Sequence, residues 1–237
     1  MKSNNFHSVS STLLLLISLT NLVLRPTSCA ALIASSKDLA ADVETAHTDL
    51  LLLSARSSAC FFRTNDIFAL VNNDYKINVQ QITLKFEELN VTSSIIDQFR
   101  SDMQQTDYYV NTFLRLQKDA FESYEARVHT YENNLLTNLP LIPENLAHLR
   151  EDTNSTNSIF EIVDNNLTKE IYFLNSEVQS ILSGYEGEPA EVEAQILLQE
   201  IISKDIETRF RLNVAKSDFD VAASNADGSM QIVASQV

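Results

Sequence analysis

The chain has 237 residues and a formal charge of −15, from 32 acidic and 17 basic side chains. A field of that sign repels nucleic acid and anionic headgroups, which argues against both as partners. Three glycines, four prolines and no tryptophan supply too few turns for a many-stranded β fold, so the composition points to an all-α protein.

The first element is a leader. Lys2 precedes an apolar run at 13–24 (LLLLISLTNLVL), and no acidic residue occurs before Asp38. Ser28 and Ala30 fit the small-residue positions of a signal-peptidase site, which predicts a signal peptide over 1–30 with cleavage after Ala30. An uncleaved anchor fits less well. A bilayer core needs about 20 apolar residues in a helix, whereas this run contains Ser18, Thr20 and Asn21 and is followed by Pro26. Cleavage removes Lys2 and Arg25 but no acid, so the formal charge moves from −15 to −17. The terminal QIVASQV is neither a retention signal nor the tail of a lipid anchor. The expectation is a secreted, extracellular protein with no transmembrane anchor. Sequons at Asn90, Asn154 and Asn166 agree with that route and are candidate N-glycosylation sites.

Helical period governs the rest. A first helix is predicted over 36–61, with Leu39, Val43, Ala46, Leu50 and Leu53 at alternating four and three spacing, and Ser35 with Asp38 as a capping signal. The pattern resets at 63–66. A second helix carries Phe68, Val71, Tyr75, Ile82, Phe86 and Leu89 on one face and stops at the polar segment 90–94. The third, capped by Ser94 and Asp97, threads Ile96, Phe99, Met103, Thr106, Val110, Phe113, Gln117, Ala120 and Tyr124 along one seam, with Val128 and Tyr131 near it. Its next breaker is Pro140, so about 44 residues, roughly 66 Å, are helical. A rod of that length belongs to an elongated bundle or a coiled coil.

The segment LPLIP at 139–143 is a turn, because each proline drives its predecessor out of the helical region. A helix resumes at 144 with Leu146 and Leu149 inward. Its continuation EDTNSTN at 151–157 has no apolar residue, and Ser158 with Glu161 signals a fresh start. An interruption there competes with one continuous helix over 144–184. Phe160, Val163, Leu167, Leu174, Val178 and Ile181 carry the seam on to the break GYEGEP at 184–189. The last helix is predicted over 190–222, with Val192, Ile196, Ile206 and Phe210 on one face, and 224–237 as a flexible tail. Short links make successive helices antiparallel neighbours. The fold expected over 31–223 is an all-α, elongated up-and-down bundle of four to five long amphipathic helices.

Candidate chemistry is sparse. Cys29 leaves with the leader, and Cys60 stands beside Phe61 and Phe62. A buried thiol is the leading reading, with an intermolecular disulfide through Cys60 as the alternative. Glu44 and His47 match one Glu-x-x-His unit of a di-iron bundle, but neither His129 nor His148 has a glutamate three residues before it. No nucleophile elbow or glycine-rich phosphate loop occurs, so no catalytic residue, metal or cofactor is assigned. The aromatics Phe99, Tyr108, Tyr109, Phe113, Phe121, Tyr124 and Tyr131 read as core rather than as a ligand channel. The runs 50–53 and 196–198 with Ile201 and Ile202 are apolar beyond one face and need cover from neighbours, another chain or lipid. Two expectations follow: a non-enzymatic interaction or structural module that engages an unknown protein or itself, and, as the alternative, a carrier of lipid or another small hydrophobic ligand.

Overall fold

A computed structural model describes residues 26–237. The expected leader lies outside the described residues as far as position 25. Among the described residues the secondary structure is helical throughout, with no strand.

The first rod is continuous from α1 (Pro26–Leu70) through a π-helical turn (Val71–Tyr75) into α2 (Lys76–Glu88). At 1.5 Å per residue it is about 95 Å long. The break expected at 63–66 is corrected: the helix runs through it. Thr64 is buried there, its hydroxyl donating to the Cys60 carbonyl at 3.0 Å. The reset falls later and is a slip of register. Cys60, Thr64 and Ile67 are buried at four and three spacing, but the next described core residue, Tyr75, lies eight positions beyond Ile67. A heptad seam expects seven. A π turn holds one residue more than an α turn, so Val71–Tyr75 absorbs the surplus and both flanking faces stay on the core.

α2 ends in a Schellman motif. Asn90 takes φ 55° and donates to the Glu87 carbonyl, while Val91 donates to the Phe86 carbonyl at 3.0 Å. α3 (Ser93–Thr137) follows from Thr92, so the expected Ser94 and Asp97 cap lies inside the helix. A 3₁₀ turn (Leu139–Leu141) leads to α4 (Ile142–Leu182), and a turn with positive φ at Gly184 and Gly187 leads to α5 (Pro189–Ala234).

Two further expectations are corrected. α4 crosses 151–157 without interruption, because the polar residues there are partnered. Thr153 donates back to the Leu149 carbonyl and meets the Tyr124 hydroxyl, Asp152 accepts from Arg127 and Tyr131, and Thr156 is buried. Tertiary contacts override weak helix propensity. The tail expected at 224–237 is helix as far as Ala234, since Ala226, Met230 and Val233 are fully buried.

The rods are antiparallel in sequence order, and the first closes the square against α5. Lys85 pairs with Glu193, Lys204 with Asp74, and Gln236 bonds to Asp42. His47 meets Glu132 between α1 and α3, and Arg209 meets Asp164 between α5 and α4. The result is an up-and-down bundle of four long rods. Its core forms two clusters. The larger surrounds Leu50, Phe121, Val163 and Phe219, and the smaller surrounds Ile82, Phe86, Phe99, Val178 and Leu198. Between them lies a waist.

Candidate functional site

Three features merit comparison: a histidine network, the waist, and the outer face of α5. The first joins residues far apart in sequence. On α1 and α3, His47 Nε2 lies 2.9 Å from Glu132 Oε1, His129 Nδ1 lies 3.2 Å from Glu132 Oε2, and His129 Nε2 lies 3.3 Å from Ser54 Oγ. Partial burial alone would raise the Glu132 pKa, but the two histidine hydrogen bonds outweigh it and hold the carboxyl below its usual range. Ser54, His129 and Glu132 thus stand in the order of a serine–histidine–acid relay. The arrangement lacks what acyl transfer requires. Ser54 is 5 % exposed and sits mid-helix, where backbone N–H groups bond within the helix and offer no oxyanion donors. Among the described residues no group of three or more metal-ligating side chains is disposed to hold an ion. Glu44, the other half of the di-iron-like pair, is exposed.

The waist is polar where the seam should be apolar. Asp205 sits at a core-facing position of α5, 3.7 Å from Arg209, which turns its other nitrogens to Asp164 at 2.8 and 3.0 Å. Desolvation pushes the Asp205 carboxyl up to about 6, with Arg209 opposing and Asp164 adding to the rise. A cavity of about 30 Å³ opens here, lined by Tyr75, Asn78, Thr106, Glu170 and Asp205 among others. On the measure by which one water needs roughly 10–15 Å³, it holds about two waters and no acyl chain.

The outer face of α5 is the reverse case, apolar where it should be polar. Val192, Ile196, Ile206, Phe210, Val214 and Val221 are 47–66 % exposed and recur at helical spacing. The opposite face of α5 already supplies Ala194, Leu198, Ile201, Leu212 and Phe219 to the core. The four residues that mark one face in the sequence therefore lie on solvent, and the inner stripe is diluted in the sequence by alanines, Asp205 and Lys216. The aromatic series divides in a similar way. Phe99, Phe121, Tyr124 and Tyr131 are core, whereas Tyr108 and Tyr109 are exposed. The wide run at 50–53 also splits, with Leu50 and Leu53 buried and Leu51 and Leu52 exposed.

The remaining sequence candidates are dispersed. Cys60 is fully buried and unpaired, and burial pushes its thiol up to about 12 against the lowering effect of Lys216. A bridge from Cys60 to another chain would require opening the core around it. Asn90 is exposed in the α2–α3 turn, Asn154 is exposed on α4, and Asn166 is half-buried on α4. No described helix is long and apolar enough to cross a membrane. These features define an all-α antiparallel bundle whose unusual surface is one helix face. No protein-family model matches the chain, and neither a curated protein nor a solved structure matches it.

Proposed function

We propose that this chain is a secreted, N-glycosylated, non-enzymatic interaction module that docks a protein partner on the outer face of α5. One observation carries the reading: six large apolar side chains stand exposed along a helix whose other face is already packed. Apolar surface gathered in one stripe, rather than scattered singly, marks a binding surface. The three sequons lie off that helix, Asn90 on the α2–α3 turn and Asn154 and Asn166 on α4. The waist cavity, at about 30 Å³, is too small for an acyl chain.

The test begins with expression from the native leader. The protein should reach the medium and lose mass on treatment with an N-glycosidase. Purified protein and the Ile206→Lys, Phe210→Lys double variant then serve as baits in the native fluid. The parent should retain a partner that the variant loses at equal helicity. Identical captures by both baits would sink the assignment of this face.

A further inference from the structure

We propose that the partner of this face is a second copy of the chain, docked antiparallel about a two-fold axis at Ile206. The inference rests on the reading of α5 as a docking surface and names its occupant. The stripe Val192, Ile196, Gln199, Ser203, Ile206, Phe210 steps by four and three, the spacing of a coiled-coil seam. After one further step of four it continues through Val214, Ser217 and Val221. A two-fold interface must be self-complementary, and an antiparallel pair centred on Ile206 meets that demand. Within one residue of the facing position, Phe210 meets Ser203, Ile196 meets Ser217 and Val192 meets Val221, so large residues meet small or equal ones.

Charge fixes the direction. The row one residue beyond the stripe reads Glu200, Lys204, Glu207, Arg211. Within one residue, the same axis brings Glu200 to Arg211 and Lys204 to Glu207, whereas a parallel two-fold pair sets this row against the opposite flank of the stripe, Leu198 and Ile202 among it. Residues 200–211 hold three acids (Glu200, Asp205, Glu207) and three bases (Lys204, Arg209, Arg211) in a chain of formal charge −15. Like-charge repulsion between copies is therefore weak here. Lys204 now pairs with Asp74 at 2.7 Å and Arg211 with Glu207, all four groups being 45–60 % exposed. Surface pairs of that kind exchange partners at little cost. The stripe and its flanking rows span about eight turns and present about 24 residues, within the 20–30 a side of a stable interface.

Sedimentation equilibrium of the full mature chain, from micromolar to millimolar concentration, tests the proposal. The parent should dimerise. Phe210→Lys, at an exposed site, should weaken the dimer about a hundredfold with unchanged helicity. Glu200→Arg should weaken it about tenfold, and the swapped double variant E200R/R211E should restore it. Ile206→Cys should give a disulfide-linked dimer on mild oxidation, since the axis sets the two copies of that position side by side. A monomeric parent at millimolar concentration would overturn the self-pairing. If bait capture through α5 persists in that case, the docking surface stands and its occupant is another protein. A dimer indifferent to Phe210→Lys, or one that E200R/R211E fails to restore, would overturn the assigned face or direction.

Discussion

Replacing Asp205 with asparagine should stabilise the protein at neutral pH. The carboxylate is 14 % exposed, and its pKa rises from an ordinary 3.8 to about 6, mainly through desolvation. Two units at about 1.4 kcal/mol each give about 3 kcal/mol of destabilisation once the group is ionised. Losing the 3.7 Å contact with Arg209 subtracts little, because Arg209 keeps its two bonds to Asp164. A net gain of about 2–3 kcal/mol is expected. The sign follows from proton binding. Between pH 3.8 and about 6 the unfolded chain has released this proton while the folded protein retains it, so stability falls as pH rises through that window and levels off above it. Glu132 acts in the opposite sense, since its lowered pKa contributes stability that is lost on acidification. The difference between parent and D205N isolates the Asp205 contribution. Urea unfolding at a series of pH values should show a gap that is full above pH 6 and closes below about 4. Equal pH slopes, or a variant less stable at pH 7, would refute the reasoning.

Gln117 is 1 % exposed with neither amide atom hydrogen-bonded within the protein. Gln117→Leu should therefore raise the urea midpoint by the equivalent of about 1–2 kcal/mol, and a clear loss would mean that the amide has a partner. The Cys60 thiol, buried and pushed up to about 12, should resist an aromatic disulfide reagent in native buffer and react at once in denaturant. Rapid native labelling would contradict its burial. Deleting Asn73, exposed within the π turn, should convert that turn to α-helix and leave the melting temperature nearly unchanged. Deleting exposed Gln80 instead turns the flanking faces about 100° against each other. It unseats Ile82 and Phe86 and should cost more than about 3 kcal/mol. Equal melting curves for the two deletions would undo the account of the π turn.

What was legible in the sequence was the turns at 139–143 and 184–189, because Pro140, Gly184 and Gly187 fall between helices while Pro143 and Pro189 stand in the first turns of α4 and α5. Registers were harder. In α3 the buried residues step Thr106, Val110, Leu114, Gln117, with two fours in succession, so a strict seam selects Phe113 and Ala120 where the bundle buries Leu114 and Phe121. In α5 two apolar stripes share one helix, and periodicity alone cannot say which faces inward. The histidine network was invisible for a different reason. His47 and Glu132 lie 85 residues apart, and only the packing of α1 on α3 unites them.

The waist has a mechanical consequence. Two links, around Asn90 and Gly184, tie the rods in pairs at the Phe86 end, while the opposite end has one link, at Pro140. Every backbone passes through a charged layer that carries little cohesion of its own. The molecule is built like a clothes-peg: one jaw is stitched shut, and the other is held by the grip of Phe219 against Phe121 and Tyr124. Load or heat then meets two cores in series, one closed by two links and the other by one.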